Sequence, residues 1–438
     1  MRLLARRGDD IWFVPGLNAW IVWDGDHWVW DRDAARVRCM TGELHLDIYA
    51  EARQAPRADV EHFLKWARQC QTKSVIASIT ALAAGQISVR LPIDAIDGDP
   101  LVVGIDGARQ VIDLTTGNVR PAARDDLVTR SLAVSHLGNA CEAKRWRSFL
   151  DEVFEGDAEL IAWLKRFLGY CLTGLNREHV FVFAHGAGAN GKTVLLNVCQ
   201  AIWGDYGRTI QPETLMAQVR SGSAPSPDVA RLAGARLVQG SETEEGRPLA
   251  EALLKQLTGG DTITARDMYS RPFEFTPRFK LMLAGNHRPR IKGTDNGIWR
   301  RIRLLPFNRT FAGEQRDPGL TAALIAEAPH ILAWLVEGCR DYLEEGLDPV
   351  PSSIAAATAG YRQEEDVVGR WFAERVSRDG EALSSHLYAD YRTWAEASGE
   401  RALSLQAFGR RLTAKGIATR HTRNGQMYRG ISLRGAMM

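Results

Sequence analysis

The 438-residue sequence is short of the features that define membrane, secreted and disordered proteins. No apolar run approaches the roughly 20 residues that a membrane-spanning helix requires. The first ten residues contain no apolar core of the kind that a signal peptide needs. These absences predict a protein without a membrane partner, located in the cytoplasm, or in the host-cell cytoplasm if a phage encodes it.

Cysteine is also scarce, with six residues in the chain and no CxxC spacing among them. This pattern argues against a zinc site and against a secreted disulfide scaffold, and it is typical of reduced thiols in a cytosol. Apolar residues make up 45% of the chain and charged residues 25%, as in an ordinary globular protein. The length predicts about three domains.

The net charge is only +2, which taken alone argues against a nucleic-acid partner. The charge is unevenly distributed, however. Residues 401–438 hold eight basic residues and no acidic ones, which leaves residues 1–400 with a net charge of −6. A basic tail can be a solvated surface that promotes solubility, or it can bind nucleic acid, and charge alone does not separate the two.

Three regions are predicted from the distribution of motifs. Residues 1–150 are rich in tryptophan, and residues 20–30 predict a hairpin that turns at Asp24 and Gly25. Its tryptophans are predicted to fill a core, the alternative being that they stack on bases. Residues 151–345 carry the strongest motifs. Residues 346–438 begin with a proline-containing linker at 347–353 and end in the basic tail.

Residues 186–193 read Gly-Ala-Gly-Ala-Asn-Gly-Lys-Thr and match the phosphate-binding pattern GxxxxGK[ST]. A predicted strand precedes this segment and a predicted helix follows it, which argues against a chance match on a glycine-rich turn. We expect Lys192 to reach the β- and γ-phosphates of ATP, and the Thr193 hydroxyl to ligate Mg²⁺. The predicted nucleotide-binding residues are Gly186, Ala187, Gly188, Ala189, Asn190, Gly191, Lys192, Thr193 and Val194.

A second group of predicted site residues follows a strand at 236–240. Glu242, Glu244 and Glu245 come directly after it, where carboxylates can hold Mg²⁺ or polarise water, although acids in such a turn can also be simply solvated. We assign Glu242 to the metal and either Glu244 or Glu245 to the attacking water. The choice between these last two stays open.

Asn286 follows another predicted strand, at 279–285. A neutral amide there can orient water beside a γ-phosphate, whereas an isolated asparagine after a strand is usually a turn residue. Arg300 and Arg301 are predicted to lie on a helix. Paired arginines on a helix are usually surface charge, but in an oligomeric ATPase they can reach a neighbour's γ-phosphate.

In this order, the motifs resemble those of superfamily 3 helicases, in particular the phage and plasmid primase-helicases related to the poxvirus primase-helicase. The resemblance is strong over residues 180–310 and weaker over most of the chain. The segments that carry it are residues 188–193, 234–238, 241–246, 255–266, 286–289 and 298–303.

The resemblance implies an α/β fold with an AAA+-like P-loop ATPase core, preceded by a mainly helical domain at residues 1–150. It also implies a ring, typically a hexamer, with ATP bound at subunit interfaces. Lys192, Thr193 and Glu242 would act within one subunit and Asn286 would be the sensor. Arg301 would be the finger that reaches the neighbour's site, with Arg300 as the second choice.

In the family, a hairpin before Asn286 projects into the ring channel and grips DNA. It corresponds here to residues 263–275, with Arg266, Tyr269 and Arg271 as the predicted DNA contacts; the alternative is an ordinary surface hairpin. Many relatives carry a primase domain upstream, and residues 1–150 show no carboxylate cluster for nucleotidyl transfer. We therefore expect any primase to be a separate protein.

The last region predicts three helices, the third capped by Ser404 and covering 405–415, and then a hairpin that turns at Asn424 and Gly425. This pattern and the resemblance both indicate a winged helix, which can bind DNA or another protein. The basic charge favours DNA. The predicted contacts are Arg410, Arg411, Lys415, Arg420 and Arg423.

Taken together, these features predict an ATP-dependent DNA helicase for the replication of a phage or mobile element. It would use ATP and Mg²⁺, form a homo-oligomeric ring and act on single-stranded and forked DNA. Two alternatives stay open. One is a replication initiator or regulator that uses ATP as a switch, and the other is a DNA-translocating ATPase that does not unwind duplex.

Overall fold

A computed structural model describes residues 2–217, 227–241, 247–266, 272–291, 293, 296–423 and 425–434. Over these residues the chain has a mixed α/β fold built around a parallel sheet, which confirms the predicted fold class at this level. No single helix among them is long and apolar enough to cross a membrane, and one bent helix pair meets those limits only when both helices are taken together.

The first 150 residues contain two small antiparallel sheets and a group of helices. Strands β1–β3 form one sheet and β4–β6 the other. The elements are α1 Arg2–Arg7, β1 Ile11–Val14, β2 Ala19–Trp23, β3 Trp28–Asp31, α2 Ala35–Gln54, α3 Val60–Cys70, α4 Lys73–Ala84, β4 Val102–Ile105, β5 Gln110–Asp113 and β6 Val119–Pro121.

The predicted tryptophan hairpin is present as β2 and β3. Trp23 pairs with Trp28 across the turn, and Gly25 adopts a φ of 102°, which glycine reaches without a steric penalty. Helices α1–α4 hold more of this region than its strands do, in line with the expected mainly helical domain, and two three-stranded sheets accompany them. Each three-stranded sheet supplies part of a buried core, because the alternating apolar residues of its strands need a covered face.

The middle of the chain forms the central parallel sheet and the helices around it. The elements are α5 Lys144–Val153, α6 Ala158–Leu172, β7 Phe181–His185, α7 Lys192–Trp203, β8 Gly207–Thr209, α8 Pro212–Leu215, α9 Pro227–Ala230, β9 Leu237–Ser241, α10 Glu251–Gly259, β10 Ile263–Ala265, β11 Phe273–Phe275, β12 Lys280–Gly285, α11 Asn296–Trp299, β13 Ile302–Pro306, α12 Leu320–Ala326, α13 Ala328–Glu345 and α14 Ser352–Glu365.

The strand order of this sheet is β13-β7-β12-β9-β8, and all four pairings are parallel. Helices cover both of its faces, as parallel sheets require. Alternate residues of β7 show the division: Val182 and Ala184 join the core that contains α6, α7 and α13, whereas Phe181 and Phe183 join the core on the other face. The sheet is therefore buried on both sides, and its strand ends are the places where polar groups can gather.

Two buried cations hold the amino ends of the middle strands. Arg236, just before β9, donates to the carbonyls of Leu172 and Val102 at 2.6 and 2.7 Å. Lys280, the first residue of β12, donates to the carbonyl of Thr173 at 2.5 Å, and burial lowers its pKa to about 7. These bonds satisfy carbonyls at the end of α6 and at the start of β4, which would otherwise be buried without partners.

The last unit packs three helices against short antiparallel strands. The elements are α15 Val367–Arg375, β14 Val376–Ser377, β15 Glu381–Leu383, α16 Ser384–Ala397, α17 Leu405–Ala414, β16 Thr419–Thr422, β17 Gly425–Arg429 and β18 Ser432–Leu433. Its core is aromatic, with Tyr391 and Phe408 stacked at 4.8 Å. Ser404 caps α17 by accepting from the backbone N–H of Ala407, as its position predicts.

The predicted linker at residues 347–353 is packed against the core. The carbonyl of Leu347 accepts from the indole of Trp163 at 2.9 Å, and the Ser353 hydroxyl donates to Asp157 at 2.8 Å. Helix α14, which follows it, lies along β13, where the Thr358 hydroxyl accepts from the backbone of Leu304. The chain therefore leaves the central core near residue 366, about 20 residues later than expected.

Helices α6 and α13 pack closely, and this contact gives a test of the fold. A Cβ on Gly169 would lie 2.1 Å from the backbone nitrogen of Cys339, and backbone cannot rotate away. We expect Gly169→Ala to lower the free energy of unfolding by about 2 kcal/mol or more. Urea and thermal unfolding, followed by circular dichroism, measure the effect.

Gly360 in α14 is the matched control, because a Cβ there would meet no heavy atom within 4 Å. We expect Gly360→Ala to raise the free energy of unfolding by about 0.5 kcal/mol, since alanine favours the helix. Equal stability of Gly169→Ala and the unchanged protein would contradict the described contact.

Candidate nucleotide and DNA site

The glycine-rich loop, residues 186–191, connects the carboxyl end of β7 to the first residue of α7. Gly188, Ala189 and Gly191 all have positive φ, at 107°, 47° and 88°. Successive residues of this kind turn backbone N–H groups towards one side and form a concave surface that suits an anion. The positive end of the α7 dipole lies at the same place.

Two positions of the loop require glycine because atoms of neighbouring residues approach its backbone closely. A Cβ on Gly186 would lie 2.3 Å from the carbonyl oxygen of Phe307, and one on Gly191 would lie 2.8 Å from the side chain of Val153. The buried side chain of Asn190 ties the loop to the segment after β13, since its amide donates to the Phe307 carbonyl at 3.2 Å. The loop therefore has a shape that its neighbours enforce.

Lys192 is buried at the start of α7 and its ammonium group points back into the loop. It donates to the carbonyl of Gly186 at 2.7 Å, to Asn190 Oδ1 at 2.9 Å and to Asn286 Oδ1 at 3.0 Å. Burial lowers the pKa of Lys192 from its ordinary value. The hydroxyl-bearing Thr193 is exposed beside it.

The contact between Lys192 and Asn286 follows from strand order. Strands β7 and β12 are neighbours in the sheet, and His185 pairs with Gly285. The residues after these two strands, the glycine-rich loop and Asn286, therefore meet at one edge. The predicted sensor lies beside the predicted phosphate-binding lysine although 94 positions separate them.

The predicted acids begin one residue after β9, whose last residue, Ser241, pairs with Ala284 of β12. Glu242, Glu244 and Glu245 themselves lie outside the described residues, and so their predicted roles stay predictions. Within the described ranges no three Asp, Glu, His or Cys side chains are grouped as metal ligands would be. The donors of the predicted Mg²⁺ site would be Thr193 and Glu242, and only Thr193 is described.

The two arginines lie at the opposite edge of the sheet. Arg300 and Arg301 follow α11 and precede β13. The prediction that they lie on a helix is therefore wrong. The Arg301 carbonyl accepts from the backbone N–H of Phe181, at the amino end of β7, one five-residue strand away from the loop. At about 3.3 Å per residue, that separates the arginines from Lys192 by more than ten ångströms.

Their side chains differ in exposure. Arg300 is exposed, whereas Arg301 is only 8% exposed, and its Nε and Nη1 have no hydrogen-bond partner in the described part of the chain. Burial lowers the pKa of Arg301, the nearby charge of Arg300 lowers it further, and Asp261 opposes the shift. A buried guanidinium with unsatisfied nitrogens is costly, so we expect Arg301 to add little to the stability of the fold.

The two strands of the hairpin that we predict to contact DNA are present in the structure. Ile263–Ala265 pairs antiparallel with Phe273–Phe275. Arg266 follows the first strand and is partly exposed. Tyr269 and Arg271 lie outside the described residues.

The predicted DNA contacts of the last unit fall into three groups. Lys415 pairs with Asp366 at 2.6 Å, and Arg420 pairs with Glu381 at 3.3 Å, so acids from outside the basic tail partly offset its charge. Arg410 and Arg423 are exposed and make no ion pair with a described residue. Arg411 is partly buried and lines a small cleft of about 160 Å³ between α14 and α17.

Comparison with known proteins finds two matching family models and relatives encoded by viruses. Residues 1–155 match a family model described as "D5 N terminal like", and residues 184–301 match one described as a family of unknown function, DUF5906. A protein of Acanthamoeba polyphaga mimivirus named "Putative helicase" is 27% identical over 327 residues, which cover 69% of this chain and 34% of that protein. The resemblance predicted from the motif order is confirmed.

Two further viral relatives have similar names. A "Putative helicase" of Frog virus 3 is 29% identical over 250 residues, covering 51% of this chain and 25% of that protein. A "Putative primase" of African swine fever virus is 24% identical over 269 residues, covering 57% and 28%. The chain therefore spans only about a third or less of the length of these relatives.

Among solved structures, the apo C-terminal region of NrS-1 is similar, with a TM-score of 0.49 and 11% sequence identity over 98% of both chains.

Several contacts at this site carry no signal in the sequence. Phe307 meets Asn190 across 117 positions, and Arg290 meets Glu400 across 110. The motifs identified Asn190 but not its partner, because a backbone carbonyl has no sequence signature. The burial of Arg301 was likewise invisible, since it depends on how α10 and α11 pack.

The two buried arginines provide a test of this interpretation. Arg236 satisfies three carbonyls, so we expect Arg236→Met to lower the free energy of unfolding by about 3 kcal/mol. Arg301 leaves two nitrogens unsatisfied, so Arg301→Met should leave stability unchanged or raise it. Thermal unfolding of both variants measures this, and a large loss for Arg301→Met would show that its guanidinium stabilises the fold.

Proposed function

We propose that this chain is an ATP-dependent DNA helicase that serves viral or mobile-element replication. The observation that carries the proposal is the contact between Lys192 and Asn286 at the carboxyl edge of a parallel sheet, beside the point where the acids follow β9. Relatives named helicase and primase support an enzyme that acts on DNA.

The phosphates of ATP would lie against the backbone N–H groups of the glycine-rich loop and the amino end of α7. Lys192 now bonds three oxygens of the protein, and it would exchange some of them for phosphate oxygens. Asn286 would then be freed to orient water next to the γ-phosphate. Because amide oxygen is neutral, it would do so without repelling the phosphate.

Thr193 and Glu242 would hold Mg²⁺, which neutralises charge that develops on the transferred phosphoryl group. The exposure of Thr193 at the first turn of α7 fits this role. Glu244 or Glu245 would activate the water. The loop's concave backbone and its helix dipole provide the complementary positive potential.

The positions of the two arginines support the proposal that the protein is an oligomer. Arg300 and Arg301 lie at the amino edge of the sheet, so they cannot reach the nucleotide site of their own chain without unfolding β7. A neighbouring copy would bring them to a γ-phosphate, as in a ring. Arg300 is exposed and so is presented without rearrangement, whereas Arg301 would have to leave its buried position.

Single-stranded DNA would lie against the hairpin of β10 and β11, at Arg266, Tyr269 and Arg271. The last unit, in the manner of a winged helix, would bind duplex at a fork through α17 and the β16–β17 hairpin. Residues 367–438 hold twelve basic and six acidic residues, so this unit stays basic after its ion pairs are counted. We further propose that it works in the cytoplasm, with a separate primase as a partner.

Steady-state ATP hydrolysis tests the nucleotide site. We expect single-stranded DNA to stimulate the rate, and Lys192→Ala to reduce it at least about 100-fold because the phosphates lose their only lysine from the loop. Mixing Lys192→Ala with Arg300→Ala or Arg301→Ala should restore some activity at hybrid interfaces. The arginine variant that restores activity identifies the finger.

A forked duplex with a labelled strand separates the alternatives. Unwinding supports the helicase. Stimulated hydrolysis without unwinding would instead indicate a translocating ATPase, and a single turnover per binding event would indicate an ATP-switched initiator. An active Lys192→Ala protein would refute the proposed site.

The difference between the exposed cations and those already paired with acids predicts how duplex binding depends on salt. We expect Arg410→Ala with Arg423→Ala to weaken binding and to reduce the slope of log K against log salt by about 2, one for each lost phosphate contact. Lys415→Ala with Arg420→Ala should reduce it less, because both cations already pair with acids. Fluorescence anisotropy at several salt concentrations measures both, and equal slopes would contradict this assignment.

A further inference from the structure

The segment that begins at Asn286 runs from the nucleotide site to the last unit of the chain. Asn286 contacts Lys192, and four residues later the Arg290 guanidinium contacts Glu400 at 3.1 Å. We call residues 286–291 the sensor strap. It has no helix, and hydrogen bonds to neighbouring elements hold its backbone, so its position depends on what surrounds it.

Helix α14 holds one side of the sensor strap. The Tyr361 hydroxyl donates to the carbonyl of Pro289, and Arg288 lies over the Tyr361 ring at 5.3 Å and pairs with Glu364. The backbone N–H of Ile291 donates to Glu365 at 2.9 Å. Three residues of α14 that lie within little more than one helical turn therefore bind the strap.

The other side of the strap pairs with the chain that returns from the predicted acids. The backbone N–H of Arg290 donates to the carbonyl of Arg247 at 3.0 Å, and that of Leu249 donates to the carbonyl of Arg290 at 2.9 Å. A movement of Arg290 would therefore displace both Asn286 and residues 247–249, which follow the predicted acids in the chain.

Glu400 is the residue through which the last unit holds the strap. It accepts from Arg290 of the strap and from Arg370 of α15, and its side chain is only 14% exposed. Although burial opposes it, the two guanidinium groups hold the pKa of Glu400 below its ordinary value. A partly buried carboxylate shared by two arginines is stronger than the ion pairs of an exposed surface.

We propose that Glu400 is a positioning residue that couples the last unit to the nucleotide site. When the last unit is docked, Glu400 holds Arg290, the strap is fixed, and Asn286 stays against Lys192. When DNA moves that unit, the Arg290 contact changes and Asn286 is released towards the water. This inference rests on the proposed function, since it explains how DNA would alter the rate of hydrolysis.

The test is the Glu400→Gln variant, which keeps the size of the side chain but removes its charge. Because the contact holds Asn286 against Lys192, we expect the variant to hydrolyse ATP faster without DNA and to lose most of the stimulation by forked DNA, by about tenfold, while KM for ATP and the affinity for duplex stay within twofold of the unchanged protein. Arg290→Gln should give the same result, and combining the two substitutions should add nothing further.

Two controls separate coupling from general destabilisation. Arg370→Gln removes the other arginine but leaves Arg290 on Glu400, so it should retain stimulation even if it lowers the melting temperature. Glu396→Gln removes an exposed carboxylate whose one ion pair among the described residues is with Arg392 of its own helix, and should behave as the unchanged protein. Equal loss of stimulation in Arg370→Gln and Glu400→Gln would show a merely structural role.

The outcomes also separate this inference from the proposed function. Full stimulation in Glu400→Gln overturns the coupling role while leaving the helicase proposal in place. An unchanged protein that does not hydrolyse ATP at all refutes the proposed function itself, and with it the coupling role.

Discussion

The parallel pairing of β7 with β12 is the constraint on which the rest of the site depends. Because His185 pairs with Gly285, the two strands end at the same level and release their following residues at one edge. Lys192 and Asn286 therefore meet, and β9, the next strand, ends at the same edge. A shift of two residues in either pairing would move Asn286 by about 7 Å and abolish the contact.

The same register explains why one copy of the chain carries only part of the proposed site. Parallel strands send all their carboxyl ends to one edge and all their amino ends to the other. Arg301 precedes β13 and is bonded to the amino end of β7, so the arginines and the glycine-rich loop lie on opposite edges. The sheet that brings Lys192 and Asn286 together is the structure that keeps the arginines away from them.

Acidic side chains serve two purposes in the last unit. Asp366 and Glu381 neutralise part of the charge of the basic tail, and Glu400 pairs with one arginine from each side of the junction with the core. Affinity for a polyanion and attachment to the core therefore draw on the same kind of side chain. The cations that stay exposed, such as Arg410, are the ones to which we assign the proposed contacts with DNA.

Local sequence determined the elements whose signals are local. The glycines and Lys192, the strand before Asn286, the Asp24–Gly25 hairpin and the Ser404 cap all depend on neighbours within a few positions, and the structure has each of them. The two small sheets of the first region were underestimated because each pairing spans a turn whose partner strands are weak alone. Only the tertiary structure decided that Arg301 is buried, that Lys415 is already paired and that Arg290 meets Glu400. Those facts depend on electrostatic and packing partners about 50 to 110 residues away, and no spacing along a chain records which distant residue will fill the space beside a side chain.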